Sequence, residues 1–197
     1  MSMSISQYLV HMGFSDFEGN SADCREQVKD LIDLSRAPGI KVMEIGFNAG
    51  HSAEIFLKNN PTLSLVSFDV GWHPYIETAK NYIEMTFPGR HRLIIGDSTK
   101  TVPVFIKENP TTKFDLIFID GGHEYDTAKA DLENSLLLSH KDTIIAIDDV
   151  DDPPEHNYTI GPTTVWKEGK LATINQKVYD KGRGMAWGTP HRDLTLQ

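Results

Sequence analysis

A single cysteine, Cys24, stands among 197 residues. One thiol cannot close an intramolecular disulfide or build a cysteine zinc site, so disulfide scaffolds and zinc modules are excluded, and Cys24 reads as a small core residue. Positive charge is also scarce. The chain has 19 Lys and Arg against 28 Asp and Glu, a formal net charge of -9. A surface of that sign repels polyanions, which argues against nucleic acid and anionic membranes as main partners unless a local basic patch overrides it. No apolar run approaches bilayer-spanning length, and the stretch from Met1 to Val10 lacks both a basic start and a sustained apolar segment. The expected location is cytoplasmic. No internal repeat, low-complexity tract or linker marks a second domain. One domain over residues 1–197 is therefore expected, with a helical segment over 1–40, a core over 41–150, and a loop, helix and hairpin over 151–197.

Short apolar runs alternate with helix-like segments. The runs Lys41 to Ile45, Leu63 to Phe68, Arg92 to Ile95, Phe114 to Ile119 and Thr143 to Ile147 lack strict polar alternation, as strands buried on both faces do. Between them, Ser21 can cap a helix whose Cys24, Val28, Leu31 and Ile32 share one face, ended by Pro38 and Gly39. Further helices are expected from Ser52 to before Pro61, and over Ile76 to Phe87, Thr101 to Glu108, Tyr125 to Leu138 and around Val165 to Lys170. Ala172 to Tyr179 and Met185 to Gly188 flank the turn-prone Asp180 to Gly184, the pattern of a hairpin. The predicted fold is α/β: a Rossmann-like, doubly wound, mostly parallel seven-stranded sheet with a C-terminal antiparallel hairpin. Ligands then belong beyond the carboxyl ends of the parallel strands.

The first strand runs into Glu44-Ile45-Gly46-Phe47-Asn48-Ala49-Gly50-His51-Ser52. Glycines there permit a tight turn and the close approach of a ligand to the main chain. The second strand is followed by Asp69, about where such sheets place an acid for ribose hydroxyls, the third by Gly96-Asp97-Ser98 and the fourth by Asp120. The spacing is not the Gly-x-Gly-x-x-Gly that brings a helix N-terminus to pyrophosphate, which makes a nicotinamide cofactor the weaker reading.

In motif and order, roughly from Lys41 to Gly188, the chain resembles class I S-adenosylmethionine-dependent methyltransferases. The resemblance implies S-adenosylmethionine as cofactor. It puts Glu44, Gly46, Asn48 and Gly50 at the methionine part, Asp69 at the ribose, and Asp97 with Ser98 near adenine. Asn20 and Ser21 are weaker candidates for the cofactor carboxylate.

A second constellation is Asp120-Gly121-Gly122-His123, followed one strand later by Asp148-Asp149. In a doubly wound sheet the fourth and fifth strands neighbour the first, so three carboxylates can converge beside the cofactor, and hard oxygen ligands suit Mg²⁺ or another hard divalent cation. The alternative for each acid alone is a helix cap or a solvated side chain, and for His123 a loop residue capping the helix from Tyr125. The D-x-x-H element with the later acid pair resembles metal-dependent O-methyltransferases of the catechol and macrolide-sugar type, closest to the macrolide-sugar branch. By that resemblance Asp120, Asp148 and Asp149 are metal ligands and His123 is the base. The catechol enzymes use a lysine as base near the fourth strand, so the resemblance does not imply a catechol substrate. A divalent cation would stabilise a substrate alkoxide while imidazole takes the proton, and two neighbouring hydroxyls would chelate the ion, which favours a sugar or polyol.

Trp72, His73, Tyr75, His156, Tyr158 and Trp166 could line the acceptor site, and Asp151, Asp152 and Glu155 read as a solvated loop. The acceptor site could be completed by the N-terminal segment, by the Asp151 to Pro162 loop, or by a second subunit in a homo-oligomer. Two other readings stay open: a module that binds S-adenosylmethionine without turnover, and a metal-independent transferase whose acids bind an amine.

Overall fold

A computed structural model describes residues 3–154, 156–169, 171–179 and 183–191. Strand β1 (Lys41–Ile45) pairs in parallel with β2 (Ser64–Asp69) on one side and with β4 (Phe114–Ile119) on the other. β2 carries β3 (His91–Ile95) at one edge, and β4 carries β5 (Ser139–Asp148), both parallel. β7 (Gly184–Pro190) runs antiparallel to β5, and β6 (Leu171–Val178) runs antiparallel to β7. The order β3-β2-β1-β4-β5-β7-β6 is the seven-stranded, mostly parallel sheet with a terminal antiparallel hairpin that the sequence predicts.

The apolar runs lack alternation because both faces are covered. In β4, Leu116 and Phe118 pack into one core with α1 (Ile5–His11), α2 (Arg25–Leu34), α3 (His51–Asn59) and α4 (Ile76–Thr86). Ile117 and Ile119 point the other way, into a core with α5 (Ser98–Glu108), α6 (Tyr125–Leu137) and α7 (Ile160–Glu168). That period of two is the geometry of a strand sandwiched between helix layers. Phe118 is fully buried, and its removal would cost about 3–5 kcal/mol.

Several boundaries differ from expectation for local reasons. The helix expected from Ser21 is interrupted: Asn20, not Ser21, caps a 3-10 turn at Ser21–Asp23 by accepting the Ala22 N–H at 2.9 Å, and Cys24 is extended before α2 starts. α2 ends at Leu34, short of Pro38 and Gly39. β5 starts before Thr143 because its register with β4 shifts between Phe114 and Leu116, where the Thr143 hydroxyl donates to the Phe114 carbonyl at 2.6 Å. α7 starts at Ile160 and admits Pro162 in its first turn, where a missing N–H breaks no helical bond. Lys170, Glu155 and residues 180–182 of the expected hairpin turn lie outside the described residues. Cys24 is half-buried against the first core. No helix among the described residues is long and apolar enough to cross a membrane.

Candidate active site

The parallel strands bring their carboxyl ends to one edge. The residues expected from the sequence to meet the cofactor, the metal or the substrate proton at the strand ends lie at or just past such an end, or at the start of the following helix, except Glu44, which is one residue inside β1; Asn20 and Ser21 lie apart from them, at the 3-10 turn before α2.

Gly46 is required by close approach. Its φ is +99°, and a Cβ there would stand 1.8 Å from the Asp120 carbonyl oxygen, so the β1 turn lies directly on the β4 turn. Gly50, with φ +76°, precedes α3 and lets Ile5 of α1 pack against the turn. Asn48 has a left-handed backbone, φ 47°. Its N–H donates to Asp69 Oδ2 at 2.7 Å, while Asp69 Oδ1 accepts the Gly71 N–H at 2.8 Å. Asp69 thus ties the β1 turn to the β2 turn, and each of its oxygens retains further acceptor capacity. The Asn48 side chain is spent within the protein: Tyr75 Oη donates to Oδ1 at 2.7 Å and Nδ2 donates to the Glu18 carbonyl. These bonds lace the N-terminal segment over the turn. Asn20, whose side chain caps the 3-10 turn and bonds Asp23, belongs to that segment.

Glu44 is fully buried. Its oxygens accept from the Ser52 hydroxyl and, at 2.7 Å, from the Ser67 hydroxyl. Burial pushes its carboxyl up to about 7 against those two donors. It braces the turn from behind. Asp97 caps α5: its Oδ1 accepts from Thr99 N–H at 3.0 Å and Thr99 Oγ1 at 2.6 Å, and Oδ2 pairs with Lys100 at 2.9 Å. Those donors hold its pKa low. Ser98 opens α5, and its hydroxyl lowers the pKa of buried Asp131, which burial raises to about 6.

Asp120, His123, Asp148 and Asp149 line one small cavity with Gly121, Gly122 and Pro162. α7 lies against this turn, because a Cβ on Gly161 would stand 2.0 Å from the His123 carbonyl oxygen. Burial, then the charges of Asp148, Asp149 and Glu44, hold the Asp120 carboxyl well above its usual range. Burial and Asp149 likewise push Asp148 up, against a hydrogen bond from Gln27. Gln27 Nε2 donates to Asp148 Oδ2 at 2.6 Å, whereas Asp148 Oδ1 is buried without a hydrogen-bond partner. Asp149, with φ 56°, places Oδ2 3.0 Å from His123 Nε2, and that bond raises the histidine's pKa. Among the described residues, no group of three or more His, Cys, Asp or Glu is arranged to hold a metal ion. The three acids share the cavity without forming a ligand shell, since one oxygen of Asp148 and one of Asp149 are engaged by Gln27 and His123.

The aromatic residues divide. Trp166 is buried in the second core and does not line the site. Trp72 is 82% exposed. His73 stacks on Tyr75 with centroids 5.0 Å apart, and His156 stacks on Tyr158 at 5.3 Å, beside His123. Asp151 is not solvated: it is 3% exposed, with its backbone N–H and carbonyl both bonded to the Thr163 hydroxyl at 2.9 Å. Asp152 is exposed and pairs with Lys167 at 2.7 Å. Two residues were missed. Arg183, before β7, donates to the Asn20 carbonyl at 3.0 Å, and its charge lowers the pKa values of Asp120 and Asp148. Nothing local marks it. Gln27 carried a signal, as a polar residue between Cys24, Val28 and Leu31 on the buried face of α2.

The comparisons with known proteins fit this geometry. No curated protein sequence matches the chain. An O-methyltransferase from Bacillus cereus solved with S-adenosylhomocysteine superposes with a TM-score of 0.72 at 19% identity, over 94% of this chain and 88% of that one. TomG of Streptomyces achromogenes, an O-methyltransferase of tomaymycin synthesis solved with S-adenosylmethionine, gives 0.71 at 18% identity over 95% and 88%. CalS11, a TDP-rhamnose 3'-O-methyltransferase of calicheamicin biosynthesis, gives 0.62 at 24% identity over 84% and 80%. At these identities the likeness is one of fold. The family model described as a methyltransferase domain matches residues 43–150, more than half of the chain, and spans β1 through the acid pair after β5, so the chain belongs to the methyltransferase-domain family.

Proposed function

We propose that the chain is an S-adenosylmethionine-dependent O-methyltransferase acting on a hydroxyl of a small molecule, a sugar or polyol, with a hard divalent cation such as Mg²⁺. The observation that carries this reading is the His123–Asp149 pair, an imidazole braced by a carboxylate 3.0 Å away at the mouth of the cavity next to the Gly46 turn.

For the cofactor, Asp69 has acceptor capacity suited to ribose hydroxyls, the backbone of Gly46 to Gly50 offers the approach that the methionine part needs, and Asp97 with Ser98 stands on the adenine side. Bound S-adenosylmethionine supplies an electrophilic methyl on a sulfonium. His123 takes the proton of the acceptor hydroxyl as the oxygen attacks that methyl and the carbon–sulfur bond breaks. Asp149 holds the ring in place and stabilises the imidazolium formed. The orphaned Asp148 Oδ1 and the mutual repulsion among Asp120, Asp148 and Asp149 suit a hard cation, and these three acids would hold it. A cation held there would supply stabilisation of the deprotonated hydroxyl. CalS11 is a TDP-rhamnose 3'-O-methyltransferase, which lends the sugar class support by analogy. With this reading go a cytoplasmic location, a single domain and a small-molecule acceptor in place of a nucleic-acid or membrane partner.

The engagement of Asp148 Oδ2 by Gln27 and of Asp149 Oδ2 by His123 favours a second reading, methyl transfer without metal. Calorimetric titration of S-adenosylmethionine with and without Mg²⁺, with NAD as control, followed by assay on TDP-rhamnose and simple polyols, tests both. The expected outcome is that S-adenosylmethionine binds, NAD does not, and turnover stops with a chelator. Turnover that survives the chelator establishes the second reading, and binding without transfer to any acceptor points to a non-catalytic module.

A further inference from the structure

The sheet is open at β3, which among the described residues pairs only with β2, in a register unbroken from Leu65 and His91 to Asp69 and Ile95. The Arg90 carbonyl accepts the Leu65 N–H, and the Gly96 N–H donates to the Asp69 carbonyl, each at 2.8 Å. Bonds along a parallel ladder alternate. The N–H and carbonyl groups of His91, Leu93 and Ile95 therefore point away from β2, with no backbone partner among the described residues. The opposite edge, β6, is blunted: its register with β7 shifts between Thr173 and Asn175, and it carries Lys177. Bulges and lysines are devices by which sheet edges avoid pairing with other chains, and β3 has neither. Beside that edge, β3 and α5 border a cleft of about 210 Å³ lined by Arg92, Ile94, Lys100, Val104, Phe105 and Glu108. Val104 is 53% exposed, and Ile95, at the end of the strand, 49%.

We propose that this edge binds a second copy of the chain, with β3 antiparallel to β3 about a twofold axis at Leu93. Charge complementarity selects that partner. Along α5, Lys100, Val104 and Glu108 recur every four residues and share one face of the helix. A twofold axis near Val104 reverses their order, setting Lys100 of each copy against Glu108 of the other with the two Val104 side chains between. The row is complementary to itself, as a patch that closes a symmetric dimer must be. The side chains of Arg92 and Glu108 have no partner among the described residues, and Lys100 has an exposed pair with Asp97. The strand agrees with the helix. Centring on Leu93 makes that residue a hydrogen-bonded pair with its own copy and sets Arg92 opposite Ile94 and His91 opposite Ile95, so no like charges meet. An axis at Arg92 would set two arginines against each other. The interface is independent of how the cofactor, or any cation, is held.

The experiment is sedimentation equilibrium on the whole protein, wild type against charge variants. Wild type sediments as a dimer. Lys100→Glu and Glu108→Lys each bring like charges together at both symmetric contacts and raise the dimer Kd by about tenfold or more. The double variant exchanges the two charges and restores the dimer. Neither change opposes the helix, because a glutamate in the first turn of α5 and a lysine at its last residue both suit the helix dipole. Ile174→Lys, on β6, leaves the dimer intact. By hydrogen exchange, the amides of Leu93 and Ile95 are protected in wild type and exchange faster in Lys100→Glu. A monomeric wild type overturns the proposal, even if the edge takes up an extended peptide of another protein. So does a dimer that the single variants do not weaken or the double variant does not restore. Dissociation by Ile174→Lys also overturns it, by placing the contact at the other edge.

Discussion

His123 and Asp149 follow neighbouring strands, β4 and β5, and meet with Nε2 and Oδ2 3.0 Å apart. The bond raises the histidine's pKa above its ordinary value, so the imidazolium, which cannot accept a proton, persists to higher pH than in a free imidazole. In chelator-treated protein, an NMR titration of the His123 ring in Asp149→Asn gives a lower pKa than in wild type. The rising limb of the methyl-transfer pH profile moves to lower pH with it, because a general base works only once it has lost its own proton. His123→Ala lowers kcat by roughly 100-fold or more, the usual contribution of a positioned base.

Gly46→Ala puts a Cβ 1.8 Å from the Asp120 carbonyl at a φ of +99°. Neither the β1 turn nor the β4 turn can give way, since Asp120 N–H bonds the Ile45 carbonyl and Gly46 N–H bonds the Phe68 carbonyl, each at 2.8 Å. A loss of roughly 3 kcal/mol or more in urea unfolding is expected. Wild-type stability in this variant would mean that the two turns are not in contact.

Asp69→Ala removes the acceptor of two backbone N–H groups and the proposed ribose partner. S-adenosylmethionine affinity falls by tenfold or more in calorimetry, as the loss of charge-assisted bonds of about 1.5–3 kcal/mol each implies. Asp97→Ala is the useful contrast. It removes a helix cap, so it lowers the urea midpoint modestly, and an affinity loss matching that of Asp69→Ala would assign Asp97 a direct part in holding the cofactor.

His91 stacks on Phe47 with centroids 5.2 Å apart and bonds Ser67 Oγ at 3.1 Å, and burial pushes its pKa down to about 4. Above pH 6.5 the folded and unfolded chains both hold it neutral. Between 6.5 and about 4 only the unfolded chain takes up the proton, so the contribution is full above pH 6.5 and is lost as pH falls through that window. Urea midpoints at pH 7 and pH 5 differ more in wild type than in His91→Phe, and identical differences would show that His91 does not set the acid sensitivity.

Much of the architecture was legible because it is local. The apolar runs of β1 and β4 gave their ends to the residue, and the acids at Asp69, Asp120 and Asp148 fall at strand ends because chain order fixes which residue follows each run. Where neighbouring side chains compete, local reading failed. Asn20 rather than Ser21 took the cap, and Trp166, one of several plausible pocket aromatics, went into the core beneath α7.

The succession of two-face-buried strands and intervening helices, the glycines at the β1 turn and the set of acids at the carboxyl edge were determined by the sequence itself, through backbone preference and hydrophobic pattern. Only tertiary structure decided which of those acids pair and with what. The Gln27–Asp148 bond spans 121 residues. The His123–Asp149 pair depends on the parallel register of β4 and β5, and Asp151 is buried by α7. Hydrogen bonds and burial between distant segments are set by how the layers close around the sheet, and residue spacing along the chain carries no record of that distance.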